Sequence, residues 1–264
     1  MDPVVGVLVV RINPSRWILG SLMVCEKVDS LESKPADAIA HWQDGDSTLY
    51  LRKRSADDSE LSAGDSEADR DTFVKVHSWI QGVEMEAEKI RFVTEKAPEV
   101  PVPEVVHTWI NHDLDRSFLI TKRVKGEILD KAWPKLSPLQ RIQIADDVAR
   151  FCVALAAHTS TRFETVTGLP VSNERWLMDD TPESHPTWKP GLLGPFSQEA
   201  MQAYLANIST EPSPDVEAEF HFYHADLGPT NIMVSDDGRL SGIIDWESAA
   251  YYPRFWLATK PLIT

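Results

Sequence analysis

Residues 224–246 begin with His-Ala-Asp-Leu-Gly-Pro-Thr-Asn and continue into the apolar run Ile232-Met233-Val234. The turn Ser235-Asp236-Asp237-Gly238, a second apolar run from Leu240 to Ile244, and then Asp245-Trp246 follow. Two short apolar runs around an Asp-Asp-Gly turn specify an antiparallel hairpin. That hairpin folds Asp245 back towards Asn231, five residues after Asp226. Two oxygen-bearing side chains, Asn231 and Asp245, are thus brought together.

Phosphoryl transfer to an alcohol needs a carboxylate to accept or orient the hydroxyl proton, and oxygen ligands to hold magnesium on the nucleotide phosphates. Asp226, Asn231 and Asp245 match those jobs. Magnesium suits such a set because it keeps several waters and leans on substrate phosphates rather than on a full protein cage. The plainer alternative is that Asp226 and Asn231 are turn residues bonding to nearby backbone, with Asp236, Asp237 and Gly238 forming an ordinary hairpin loop.

These segments resemble the catalytic and metal-binding segments of the aminoglycoside phosphotransferase and choline kinase family, which is protein-kinase-like. The resemblance spans roughly residues 40 to 260. It implies Asp226 as catalytic base, Asn231 and Asp245 as magnesium ligands, and His224 as a scaffold residue positioning the loop. The stretch Tyr251-Tyr252-Pro253-Arg254-Phe255-Trp256 is similar to the aromatic stretch of fungal-type members. Those members usually continue into further helices, so the resemblance implies a second lobe shortened at its end.

A kinase-like site also needs a strand lysine for the nucleotide phosphates and a helix glutamate to hold it. Thr72-Phe73-Val74-Lys75-Val76 has strand composition, and Val83 to Val93 carries apolar residues at helical spacing. Lys75 is the candidate lysine. Glu84, Glu86 and Glu88 compete as its partner, and the resemblance favours Glu86; otherwise they form an exposed helix face pairing with Lys89 or Arg91. Pro98 to Pro103 ends that helix. Val105 to Ile110 and Phe118 to Val124 read as strands around a turn at Asn111-His112-Asp113. The resemblance places the interlobe hinge after the second strand, before Gly126-Glu127-Ile128-Leu129, with backbone near Thr121 to Arg123 meeting the adenine ring.

No G-x-G-x-x-G occurs. The one candidate for a phosphate-covering loop is Asp44-Gly45-Asp46-Ser47 before Thr48 to Leu51, with Ser47 as the phosphate contact; an acidic turn opening a strand explains it equally well. Between Arg54 and Asp71 a run dense in Ser, Asp and Glu cannot bury enough surface to offset its ordering entropy, so 55–71 is expected to be a mobile acidic insertion.

From Ser137-Pro138 a helix begins, with Ile142, Ala145, Val148, Ala149, Cys152 and Leu155 as its apolar stripe. Residues 168–219 are irregular, apart from a helical patch near Ser197 to Ile208. By resemblance this region shapes the acceptor pocket, with Trp176, Trp188 and Phe196 lining it or simply packing a lobe.

The net charge of −15 argues against a nucleic-acid or anionic-membrane surface and favours cationic acceptors. Cys25 and Cys152 give no disulfide framework. Val4 to Val10 and Trp17 to Val24 are apolar but too short to span a membrane. The place of the first 25 residues does not follow from the sequence. The expectation is therefore an α+β, two-lobed protein-kinase-like fold, with a small antiparallel-sheet lobe over 1–123 and a mainly helical catalytic and acceptor-binding lobe over 124–264. Its expected activity is ATP- and Mg2+-dependent transfer of the γ-phosphate to a hydroxyl of a small molecule, in the cytoplasm, with no nucleic-acid or membrane partner. The alternative is a catalytically impaired kinase-like binding or regulatory protein. A protein kinase is disfavoured because no Asp-Phe-Gly or Ala-Pro-Glu follows the catalytic loop.

Overall fold

The computed structural model describes residues 8–28, 36–44, 47–55, 58, 71–172, 189–208 and 212–259. Most of the acidic insertion, the Gly45-Asp46 tip, Trp176, Trp188 and the last five residues lie outside them. The chain forms a mixed α+β structure in two compact units. The first comprises 1–80, 104–123 and 186–189, and the second 81–103, 124–185 and 190–264. The stretch 81–103, assigned to the first lobe from the sequence, clusters with the second unit.

The first unit holds two antiparallel sheets. One runs β1-β2-β3-β5-β4, built from Val9–Asn13, Arg16–Leu19, Met23–Val28, Ser47–Lys53 and Ala38–Asp44. The other runs β6-β8-β7, from Thr72–Ser78, Arg116–Lys122 and Val105–Asn111. Alternation along these strands buries Trp17, Leu19, Cys25, Trp42, Leu49 and Leu51 against Trp109, Phe118 and Ile120, in one core shared by both sheets. The N-terminal segment that had no place in the sequence reading supplies three of these strands. Its apolar runs are strand faces.

In the second unit, α1 spans Glu86–Lys96. It starts three residues later than the periodicity predicts, because Gly82 turns the chain at φ +98° and Glu84 is held outside the helix by the Thr167 amide, which donates to it at 2.8 Å. β9 (Glu127–Ile128) leads into α2 (Leu129–Ala132) and α3 (Pro138–Ala156). Ser137 and Gln140 close a capping box at the start of α3, with Pro138 at the first helical position. The buried stripe of α3 is Ile144, Phe151 and Leu155, with Val148 packed beside it. Ile142, placed in the stripe from the sequence, is 58% exposed. Two apolar series at helical spacing run along α3, and tertiary packing selected the one through Ile144.

Short pairings follow: β10 (Thr159–Ser160), β11 (Arg162–Phe163), β12 (Val171–Ser172), β13 (Leu192–Leu193) and β14 (Phe196–Ser197), then α4 (Gln198–Ile208). β15 (Phe220–Tyr223) lies between β10 and β18 (Ala250–Tyr252). β16 (Ile232–Val234) lies between β17 (Leu240–Ile243) and β9. A core of Phe163, Met201, Leu205, Phe220, Tyr223, Tyr252 and Trp256 supports the strands that lead into and away from the 224–246 segment. Phe196 stacks between Phe163 and Tyr204 at the edge of this core, a packing role. No described helix is long and apolar enough to cross a membrane.

Candidate active site

The β16–β17 hairpin sets the geometry of the second unit's polar cluster. Ile232 pairs with Ile243, and one step further the Ile244 amide donates to the Asn231 carbonyl at 2.9 Å. Asp245 is the next residue, so the end of β17 lies against the start of β16 as the spacing predicts. The tight turn between Asp226 and Asn231 is closed by the Gly228 amide donating to Asp226 O and the Asn231 amide donating to Gly228 O, both at 3.0 Å.

Within that turn Asn231 is buried, and its Nδ2 donates to both the Asp226 carbonyl (2.7 Å) and Asp226 Oδ2 (2.9 Å). The amide nitrogen is therefore engaged with Asp226, which fixes the side-chain flip and turns Asn231 Oδ1 away from the Asp226 acceptors. An oxygen donor oriented in this way fits a hard cation. Asp226 and Asp245 are both half-buried. Asp245 has φ +67°, a left-handed conformation that is costly for a residue with a side chain.

His224 is fully buried and ties the two ends of the cluster together. Its Nδ1 accepts from the Asp226 amide at 3.3 Å and its Nε2 meets the Ile244 carbonyl at 2.9 Å. An amide can only donate and a carbonyl can only accept, so the partners assign a neutral ring with the proton on Nε2. The ring also sits edge-on to Trp246, with centroids 4.6 Å apart. Nearby, burial foremost, then the charges of Cys152 and Asp226, pushes the Tyr223 hydroxyl up to about 12, so it remains neutral beside the carboxylate. Burial also pushes the Cys152 thiol up.

α1 grips the far side of the hairpin. Glu86 is buried, and its Oε1 accepts the Trp246 amide at 2.9 Å. Lys89 donates to the Glu247 carbonyl. The three competing glutamates are thus distinguished: Glu84 takes the Thr167 amide and hydroxyl, Glu88 pairs with Arg91 on the surface, and Glu86 reaches the residue after Asp245. Lys89, which the alternative reading of the glutamates placed on an exposed helix face, is only 1% exposed. The signal that could have found it is its spacing, since it neighbours Ile90 and lies three residues from Glu86 and four from Val93.

The step into β9 needs a glycine. Gly126 has φ +115°, and a Cβ there would lie 2.1 Å from the Val234 carbonyl oxygen on β16. Only a bare backbone can pass so close to the hairpin.

Asp226, Asn231, Asp245 and Glu86 thus belong to the second unit, and the other predicted site residues to the first. Lys75 is half-buried on β6 opposite Leu119. Ser47 opens β5 opposite Asp44. Thr121 is buried on the central strand β8, paired with Phe73 on one side and Val105 on the other. Arg123 follows β8 with its side chain exposed, and its amide donates to Asp71 O at 2.8 Å, so that amide is engaged within the unit. Among the described residues no three His, Cys, Asp or Glu side chains gather as a metal cage.

Residues 63–256 match a family model described as the phosphotransferase enzyme family. Comparison with curated proteins gives no match. Among solved structures, the chain is similar to a thermostable mutant of aminoglycoside phosphotransferase APH(4)-Ia in apo form, at 19% identity and a TM-score of 0.43, covering 86% of this chain and 69% of that one. It is also similar to aminoglycoside-3'-phosphotransferase of type VIII, at 22% identity and a TM-score of 0.42, covering 86% and 73%. A third likeness is to the GDP complex of wild-type aminoglycoside 2'-phosphotransferase-IIIa, at 16% identity and a TM-score of 0.37, covering 91% and 66%. The family assignment rests on the family model, which takes in both the lysine strand and the hairpin.

Proposed function

The chain belongs to the phosphotransferase enzyme family, and from that premise we propose that it transfers the γ-phosphate of ATP to a hydroxyl of a small molecule. The observation that carries this reading is the double hydrogen bond from Asn231 Nδ2 to Asp226. It aims a carboxylate and an amide oxygen from one turn, beside the residue that precedes Asp245.

In this reading Asp226 takes the proton of the acceptor hydroxyl as its oxygen attacks the γ-phosphorus. The bond from that phosphorus to the β-phosphate oxygen breaks, and ADP departs with the electron pair. Asn231 Oδ1 and the Asp245 carboxylate would hold magnesium, which when bound neutralises charge on the nucleotide phosphates. His224 and the Gly228 turn keep Asp226 from rotating away. Lys75, which the resemblance pairs with Glu86, would meet the nucleotide phosphates, with Ser47 covering them and backbone around Thr121 to Arg123 beside the base. These roles come from the resemblance.

The acceptor we favour is a cationic alcohol, an amino sugar or a choline-like molecule, as the net charge of −15 suggests. A fungal-type affiliation, a site of action in the cytoplasm and a division into nucleotide and acceptor lobes near residue 123 belong to the same proposal.

The test is a thermal-shift titration of the purified chain with ATP, with and without magnesium, followed by transfer assays over a panel of amino sugars and choline-like alcohols. A magnesium-dependent rise in melting temperature, lost in Asp245→Ala and kept in Asp226→Ala, is the expected result. Transfer should fall by about 10²- to 10⁴-fold in Asp226→Ala. Full transfer by Asp226→Ala would overturn the assignment of the base.

A further inference from the structure

We propose that Lys89 is a positioning residue for Asp245, acting through the peptide groups that follow it. This rests on the reading of Asp245 as a magnesium ligand and deepens it.

Lys89 is among the largest fully buried side chains of the described structure, at 1% exposure, and its ammonium donates to the Glu247 carbonyl. Burying a lysine carries a large desolvation cost unless its hydrogen bonds are met inside. A lysine present only for solubility would turn to water instead. One helical turn earlier, on the same face of α1, Glu86 Oε1 accepts the Trp246 amide at 2.9 Å. The two side chains therefore hold consecutive residues, Glu86 by an N–H of Trp246 and Lys89 by a C=O of Glu247.

The clamped segment is the one that needs holding. Asp245 sits at φ +67°, a conformation that a non-glycine residue keeps only where its surroundings over-determine it. Upstream, Ile244 is fixed by its amide bond to Asn231 O and its carbonyl bond from His224. Downstream, the Trp246 indole N–H donates to Ile243 O at 2.8 Å, and the two α1 side chains complete the restraint. Without the lysine, the Glu247 carbonyl loses the Lys89 donor, and the turn Trp246–Ser248 that follows Asp245 is held by one side chain of α1 instead of two. The Asp245 carboxylate would then lose its fixed direction.

The test compares Lys89→Met with Arg91→Gln, which removes the same charge from an exposed neighbour on α1. Two affinities are measured for the parent and each variant: free ATP in the presence of a chelator, by calorimetry, and Mn2+·ATP, by the loss of free manganese signal in electron paramagnetic resonance. A positioning role predicts that Lys89→Met weakens Mn2+·ATP at least about tenfold and leaves free ATP within about twofold, while Arg91→Gln changes neither. Lys89→Met with parental Mn2+·ATP affinity, or with both affinities lowered alike, overturns the proposal. Where Lys89→Met does not fold, Lys89→Leu is read in the same way, and failure of both to fold at any temperature assigns the lysine to the fold and also overturns it. If the parent chain shows no metal-dependent nucleotide binding, the phosphotransferase reading fails and the proposal falls with it; if the parent binds and Lys89→Met equals it, only the proposal falls.

Discussion

Asn231 Nδ2 donates to Asp226 twice, to its carbonyl at 2.7 Å and to its carboxylate at 2.9 Å. The two residues behave as one unit: the amide restrains the carboxylate, and Asp226 sets which end of the amide turns towards it.

Asn231→Asp should therefore be far more damaging than its size suggests. It replaces both donors with a second carboxylate against Asp226, where like charges repel and one carboxyl tends to be kept protonated. Transfer is expected to fall at least about a hundredfold, with free-ATP affinity retained, as measured by steady-state kinetics beside calorimetry. A variant with more than about a tenth of parental turnover would sink the coupling.

Gly126→Ala tests the approach of the chain before β9 to the hairpin. Its new Cβ would meet the Val234 carbonyl oxygen at 2.1 Å, from a φ of +115° that alanine resists. A loss of about 3 kcal/mol in urea unfolding is expected. Because β9 pairs with β16, the damage should reach the hairpin that carries Asn231. Unchanged stability would mean that residues 124–126 can shift without disturbing β16.

Acid should destabilise the first unit through a network remote in sequence from any predicted catalytic residue. Arg52 bonds Asp58 through Nη1 and Nη2, both at 2.8 Å, and Glu26 at 2.8 Å; Arg16 reaches Glu26 at 2.6 Å. The Arg52 hydrogen bonds hold the Asp58 carboxyl well below its ordinary value of 3.8. Burial raises Glu26, but Arg52 and Tyr50 outweigh it and bring Glu26 below its ordinary 4.5. Carboxyls lowered in the folded state stabilise fully above their unfolded values, and that stability is lost as pH falls through the folded ones. Melting temperature should therefore drop steeply below about pH 4. Arg52→Met should flatten that dependence as well as lowering stability at neutral pH. A parallel pH profile for parent and variant would remove the network from the account.

The stretch from Ser137 to Leu155 shows how far local pattern reaches. The capping box and the proline at the first helical position act through neighbouring residues alone, so the helix start was legible. Which face of α3 is buried was not, because Ile142 and Ile144 both lie on apolar series and only the neighbouring hydrophobic side chains choose between them.

What the sequence determined by itself about this protein is local: the hairpin register that brings Asp245 to Asn231, the glycine before β9, the strands around Lys75 and the family to which they belong. Hydrogen-bond spacing, turn chemistry and side-chain alternation act over a few residues, so they can be read in order along the chain. Tertiary structure alone decided that residues 9–28 supply three of the five strands of one sheet, that 81–103 packs with the second unit, and that Lys89 points inwards to Glu247. Each of those outcomes depends on which distant apolar surface or carbonyl is available to cover a given side chain. That availability exists only once the chain has folded.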